Sequence, residues 1–438
     1  MNNNALVIRG GRPLRGAVGI QGAKNSVLPI LAATIMGGGE QVVRRCPRLS
    51  DVESTFHILR YLGCRVRREG DAVVVDPRPM DRCDVPDRLM REMRSSVVFL
   101  GAILTRSGEA CMSFPGGCEL GPRPIDLHLS ALRTLGAEIF EVGGNLICRG
   151  HHMVGREVNL TFPSVGATEN IMLAACGASG VTRITNAARE PEIEDLQHFL
   201  RAMGAHVEGA GSSTVVIEGG RTLHAAEYAI LPDRIAAATY LAAGAAVGGT
   251  ITVENVRPEH LSTVTSILTE AGCEVRAGHT HITLQRGTPL RAVRPVRTMP
   301  YPGFPTDAQS PLMAVTACAE GTTVFVENIF ENRFRHVGEL ARMGADIKVA
   351  GRVAVVCGVP RLYGAHVRAT DLRGGAALLV AALSAEGESR LTGLRHLDRG
   401  YEAPEQLLAA LGADIRRVEE PDADAGGPVQ RAAGDACD

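Results

Sequence analysis

Apolar positions along this 438-residue chain keep two alternating rhythms. Runs at helical spacing end in a pattern like Leu-Gly-Ala, and each is followed by a stretch of strict apolar/polar alternation. The terminating glycines are Gly63, Gly136, Gly204, Gly272, Gly344 and Gly412, separated by 73, 68, 68, 72 and 68 positions. Each is placed as a left-handed cap just past a helix. The segments after these glycines, such as Ala137-Glu138-Ile139 or Ala345-Asp346-Ile347, read as strands entering hairpins. A second marker runs in step, with Ala-rich helical runs reaching Gly39, Gly108, Gly180, Gly249, Gly321 and Gly387 before short β-branched strands. Two markers holding one period predict six α/β units, each with two helices and three or four short strands. On periodicity alone a stacked solenoid stays open as the alternative.

Polar residues recur 14 or 15 positions before the second marker: Lys24, Arg94, Gly166 within Ser164-Val165-Gly166-Ala167-Thr168, Arg234, Asp307 and Arg373. That offset is one helix length, so these residues are expected at or near the N-termini of six equivalent helices. Free backbone amides and the helix dipole make such ends anion sites. A Lys or Arg there is unfavourable unless something negative is close, and three of the six positions hold Arg and one holds Lys. The expectation is convergence on a polyanionic ligand, against surface bases with no role.

One unit departs from the pattern. Between the two markers five units have 24, 24, 23, 23 and 25 residues, whereas Gly108 to Gly136 spans 28. The excess falls in Phe114-Pro115-Gly116-Gly117-Cys118-Glu119-Leu120-Gly121-Pro122-Arg123-Pro124, which has neither helical nor strand period and reads as an exposed loop. A thiol there, beside Arg123, differs from a buried cysteine such as Cys176, because exposure permits reaction and positive charge favours thiolate.

Composition narrows the class. A formal net charge of -2 with 21% charged residues gives no reason to expect a nucleic-acid partner. Eleven cysteines, odd in number and without a C-x-x-C pair, argue against a disulfide framework and a structural zinc site, and nothing has metal-ligand spacing. Met1 to Gly11 lacks the basic and apolar regions of a leader, and the longest uncharged apolar stretch, Ile235 to Val247, is too short to span a bilayer. A cytoplasmic protein is therefore expected. The segment Pro421 to Asp438 has no apolar period and is expected to be disordered.

Six strings resemble those of the UDP-N-acetylglucosamine 1-carboxyvinyltransferases of peptidoglycan synthesis. They are Gln21-Gly22-Ala23-Lys24-Asn25, the Cys118 loop through Arg123-Pro124-Ile125-Asp126-Leu127-His128, Ser164 to Thr168, Pro305-Thr306-Asp307, Phe330-Glu331-Asn332-Arg333-Phe334 and Asp398-Arg399-Gly400-Tyr401-Glu402. The resemblance implies two inside-out α/β barrels of three units each, with the active site between them. One domain would take residues 22–231 with the Cys118 loop as a lid; the other would take 1–21 plus 232–420, carrying Asp307 and Arg399.

By the same resemblance the chain moves the enolpyruvyl group of phosphoenolpyruvate to the 3-hydroxyl of UDP-N-acetylglucosamine, the first committed step of peptidoglycan synthesis, without cofactor or metal. Asp307 is implied as the base and Cys118 as the acid, which can also form a phosphoenolpyruvate adduct and is expected to be alkylated by the epoxide fosfomycin. Lys24, Asn25, Arg94, Arg123 and Arg399 are implied to hold phosphoenolpyruvate, with Lys24 and Arg399 counted among the catalytic groups. Arg94, Arg123, Pro124, Ile125, Asp126, Leu127, Phe162, Ser164, Val165, Asp307 and Ile329 would surround the nucleotide sugar, and Asp371 with Arg373 would pair across the closing cleft. A carboxylate near pKa 4 is a weak base, so Asp307 is expected to gain basicity from burial or to act late. Ala236 and Ala238 depart from the family's usual Glu and Gly, and Phe162 stands where a Lys is frequent. Two rivals remain: the shikimate-pathway enolpyruvyl transferase, and a non-catalytic paralogue that binds a nucleotide sugar.

Overall fold

The computed structural model describes residues 4–113 and 125–419, Arg94 by its backbone alone. Cys118, Arg123, Pro124 and the 421–438 segment lie outside the described residues, so the expectations placed on them are not addressed by the fold.

Six four-stranded sheets carry the repeat. The unit around residues 296–357 shows the plan. Strand Val296–Arg297 leads to helix Thr306–Thr316, then strand Thr322–Val326, helix Val337–Arg342 and the hairpin Asp346–Ala350/Val353–Cys357. Its first two strands pair in parallel across the helix; the others pair antiparallel, with the last strand of the hairpin in the middle. Where the second helix hands over to the hairpin, all six glycines of the first marker have φ between 93° and 103°, a region an L side chain enters only at a cost. The second marker is less regular. Gly108, Gly180, Gly249, Gly321 and Gly387 have positive φ, but Gly39 does not, because the Lys24–Ala33 helix runs on into the 3-10 turn Thr34–Met36 and a Gly37-Gly38-Gly39 run.

The first helix of each unit is internal and the sheets wrap around it. Helices Thr306–Thr316, Leu372–Ser384 and Arg234–Val247 pack on one another, and every residue of the last is buried. The Ala-rich composition of Arg234–Val247 and Leu372–Ser384 lets backbones approach closely. In the other half the helix Phe99–Ser107 lies so close to Val165–Gly177 that a Cβ on Gly101 would sit 2.3 Å from the Asn170 carbonyl oxygen, and only glycine fits. Buried apolar residues form two clusters, one drawn from Ala23 to Leu231 and the other from Leu6 to Ile20 with Ala236 to Ile415.

Chain connections between these two halves break the repeat in an orderly way. Strand Leu14–Gly19 precedes the Lys24 helix, yet it pairs in parallel with Gly249–Glu254 of the other half. Conversely, Glu227–Ala229 precedes the Arg234 helix but pairs with Gln41–Arg44. The two crossing segments touch, with Gly22 bridging Pro232 and the Ala23 amide 2.8 Å from the Leu231 carbonyl. Strand Asn4–Arg9 takes the central hairpin position of the last sheet, between Glu388–Thr392 and Asp414–Glu419.

Candidate active site

The helix-length offset holds in three dimensions. Lys24 and Arg234 are the first residues of their helices, Gly166, Asp307 and Arg373 the second, and Arg94 opens a 3-10 turn running into the Phe99 helix. Asp233 caps the Arg234 helix by accepting from the Ile235 and Ala236 amides at 2.9 Å each, while its other oxygen accepts the Lys24 amide at 3.1 Å. One carboxylate thus satisfies helix starts in both halves. Since Ala236 contributes its backbone N–H, the departure at that position leaves the cap intact.

Lys24, Arg234 and Arg373 at these helix starts each have a carboxylate of the protein within ion-pair distance. Lys24 Nζ lies 2.9 Å from Asp51 Oδ2, and Arg399 approaches the same carboxylate with Nε 2.8 Å from Oδ1 and Nη2 3.3 Å from Oδ2. Asp51 is sealed beneath them at 2% exposure. Burial alone would raise its pKa, but Lys24 and Arg399 together outweigh it and hold the group below its ordinary value. The contact joins the halves, because Lys24 and Asp51 belong to one and Arg399 to the other.

Asp307 repeats the motif within the second half. Its Oδ1 accepts from Arg333 Nη2 at 2.7 Å and its Oδ2 from Arg373 Nη2 at 2.9 Å. Burial pushes its pKa up, and Arg373, Arg333 and Lys24 drive it far below the usual carboxylate range. The expected gain of basicity from burial is therefore overturned by three cations. Unlike Asp51, Asp307 keeps 25% of its side chain exposed.

The two residues expected at the closing cleft share one helix start. Asp371 is the N-cap of the Leu372 helix, accepting from the Arg373 and Gly374 amides at 3.1 and 2.9 Å, and Arg373 points to Asp307 in its own half. Both are buried at one helix start, where Asp371 Oδ2 and Arg373 Nε have no hydrogen-bond partner among the described residues. A second ion pair between the halves, besides Asp51 with Arg399, joins Arg234 to Glu192 at 3.0 and 3.2 Å, buried on both sides.

The remaining expected residues fall into two sets. Ile125 is buried at the start of the Asp126–Thr134 helix, with Asp126 exposed and Leu127 half-buried. A Cβ on Gly166 would lie 3.3 Å from the His128 ring, so this segment abuts Ser164, the N-cap of the next inner helix, and half-buried Val165; Phe162 nearby in sequence is exposed. Asn170 organises this corner: its amide nitrogen donates to the Val97 carbonyl at 2.9 Å and to His128 Nδ1 at 3.0 Å, while its oxygen accepts the Gly101 amide. Ile329 is half-buried in the second half, where buried Glu327 accepts the Ile329 and Phe330 amides at 2.9 and 3.0 Å and binds Thr306 Oγ1 at 3.0 Å. Asn25 is half-buried beside Lys24. The sequence pattern does not single out Asp51, Asn170, Glu192, Asp233 or Glu327; the sign that points to some of them is the set of cations at helix starts, each requiring a neighbour of opposite charge.

Comparison with known proteins decides the family. A UDP-N-acetylglucosamine 1-carboxyvinyltransferase 2 of Caldanaerobacter subterraneus subsp. tengcongensis is 53% identical over 411 residues, covering 94% of this chain and 99% of that protein. The chain belongs to the UDP-N-acetylglucosamine 1-carboxyvinyltransferase family. A second member, from Symbiobacterium thermophilum, is 48% identical over 422 residues, 95% of this chain and 96% of that one. The wider family of EPSP synthase (3-phosphoshikimate 1-carboxyvinyltransferase) matches residues 8–408. Among solved structures, the enolpyruvyl transferase NikO from Streptomyces tendae superposes with a TM-score of 0.86 at 27% identity, covering 96% of this chain and all of that one. EPSP synthase from Acinetobacter baumannii gives 0.72 at 19% identity over 95% of this chain, which shows a shared fold. The enolpyruvyl transferase fold excludes the solenoid, and among the described residues no helix is long and apolar enough to cross a membrane.

Proposed function

We propose that the chain transfers the enolpyruvyl group of phosphoenolpyruvate to the 3-hydroxyl of UDP-N-acetylglucosamine, releasing phosphate, in the cytoplasm and as a step of peptidoglycan synthesis. The observation that carries this reading is a partly open carboxylate, Asp307, whose acidity is set in part by Lys24 of the other half, next to a second cation set at Asp51. A neutral acceptor hydroxyl and a trianionic donor need this division, a base on one wall and fixed positive charge on the other. We take residues 22–231 and 1–21 plus 232–420 as the two domains, with the two crossing segments as their hinge.

The reaction balances in two steps. The sugar oxygen bonds to carbon 2 of phosphoenolpyruvate while carbon 3 gains a proton, giving a tetrahedral phospho-ketal. Loss of a proton from carbon 3 and departure of phosphate restore the double bond. Lys24 and Arg399, with Asn25, Arg94 and Arg123, are assigned to phosphoenolpyruvate and Cys118 to the proton at carbon 3. Asp307, held strongly acidic by its cations, suits acceptance of the hydroxyl proton only as the new carbon–oxygen bond forms. The nucleotide sugar is assigned to Arg94, Arg123 to Leu127, Phe162, Ser164, Val165 and Ile329.

Phosphate release from purified protein is the test, with phosphoenolpyruvate and either UDP-N-acetylglucosamine or shikimate 3-phosphate. Release with the sugar nucleotide alone, lost in Cys118→Ala, is expected. Release with shikimate 3-phosphate instead, or with neither acceptor, overturns the reading.

A further inference from the structure

We propose that Tyr401 is a positioning residue for Asp307, acting through Arg373. The inference rests on the reading of Asp307 as the group that faces the acceptor hydroxyl. Tyr401 is buried, and its hydroxyl lies 3.0 Å from Arg373 Nη1 and 2.8 Å from Thr239 Oγ1. The direction of each hydrogen bond is set by what each group is able to do. A guanidinium only donates, so the Tyr401 oxygen accepts from Arg373. Thr239 spends its one hydroxyl proton on the Ile235 carbonyl at 3.0 Å, so Tyr401 donates to Thr239. The chain therefore runs from Arg373 to Tyr401 to Thr239 to the Ile235 carbonyl. Arg373 also donates to Asp307 at 2.9 Å. The first turns of all three inner helices of the second half are tied together, and Tyr401 is the only member of the chain that comes from outside them.

Two features make Tyr401 more than a packed ring. Among the described residues Arg373 Nε has no hydrogen-bond partner, so Tyr401 and Asp307 are what orient the guanidinium plane. Burial raises the phenol's pKa, so at neutral pH it remains a neutral acceptor for the cation. Its loop is in turn anchored to the crossing between the halves. Gln21 donates to the Gly400 carbonyl at 3.1 Å and accepts the Glu402 amide at 2.8 Å, and the Asp398 carbonyl accepts the Ser50 amide at 3.0 Å, one residue before Asp51. The loop that presents Arg399 to Asp51 thus also fixes the orientation of Asp307, linking the donor cations to the base.

Steady-state phosphate release by wild type, Tyr401→Phe, Thr239→Val, Arg373→Lys and the double variant Tyr401→Phe/Arg373→Lys, each with its Tm, tests this. Tyr401→Phe is expected to lower kcat by about tenfold, the usual size for one hydrogen bond to a charged group, with KM for both substrates within about twofold. Thr239→Val, which removes the hydroxyl's other partner, lowers Tm but keeps kcat within about twofold. Adding Tyr401→Phe to Arg373→Lys costs less than about twofold more, because the route is already broken. Wild-type kcat in Tyr401→Phe, equal losses in Tyr401→Phe and Thr239→Val, or multiplicative effects in the double variant would each overturn the proposal. Should Tyr401→Phe not fold, 3-fluorotyrosine at position 401 weakens the acceptor without removing it, and unchanged kcat there overturns it equally. A wild type that releases no phosphate sinks the functional reading first and the role of Tyr401 with it.

Discussion

Asp51 and Asp307 are the same electrostatic device built in two places: a carboxylate between two cations, with its pKa held below the ordinary value against the effect of burial. They differ in access and in span. Asp51 is 2% exposed and takes its cations from both halves; Asp307 is 25% exposed and takes Arg333 and Arg373 from its own. A sealed carboxylate cannot meet a substrate, so Asp51 can only hold Lys24 and Arg399 and, with them, the two halves. An open one has a free edge for an incoming hydroxyl. Similar charge surroundings therefore suit a latch at one site and, in the proposed reaction, a base at the other.

Removing the open carboxylate should have the larger effect. Asp307→Asn is expected to lower kcat by about 10²–10⁴-fold, the range for a general base. It also leaves two buried guanidiniums without counter-charge, a loss of about 3–5 kcal/mol in a denaturant titration. A variant with near wild-type kcat would end the distinction. The sealed carboxylate predicts a different pattern. Asp51→Asn is expected to raise KM for phosphoenolpyruvate about tenfold, since Lys24 and Arg399 lose the hydrogen bonds that aim them, with a smaller change in kcat. Its pH dependence has a fixed sign: Asp51 has a lowered folded pKa, so its contribution is present above the unfolded value near 4 and fades as pH falls through the folded one. The stability gap between wild type and Asp51→Asn should thus be full at pH 7 and shrink in acid; a gap constant with pH would mean that charge is not what Asp51 supplies.

How much of this is written locally in the chain differs between the two carboxylates. Asp307 is legible because the period of the repeat puts it one helix length before Gly321, alongside Lys24, Arg234 and Arg373. Asp51 looks like any acidic residue in the first turn of a helix, and its partner Arg399 is 348 positions away. Position in a repeat is a local property, whereas the choice of ion-pair partner is settled by how the halves meet. The exchanged strands Leu14–Gly19 and Glu227–Ala229 make the same point, since each pairs with a strand of the half it does not lead into.

A third carboxylate shows what burial does when cations do not surround it. Glu169 lies buried on the Val165 helix near Glu190 and Glu192, of which Glu192 already engages Arg234. Burial, then the charges of Glu192 and Glu190, push its pKa well above 4.5, the reverse of Asp51 and Asp307. With the folded pKa above the unfolded one, the folded state holds the proton more tightly. Stability is then complete below the unfolded value and declines as pH rises toward the folded one. Glu169→Gln mimics the neutral form and should remove that decline. The expected outcome is a Tm advantage over wild type that grows from pH 5 to pH 8. Scanning calorimetry at the two pH values reads it directly. A Tm difference that does not grow with pH would mean that Glu169 is ionised in the folded protein, and that a cation not among its described neighbours offsets its charge as Lys24 and Arg399 offset that of Asp51.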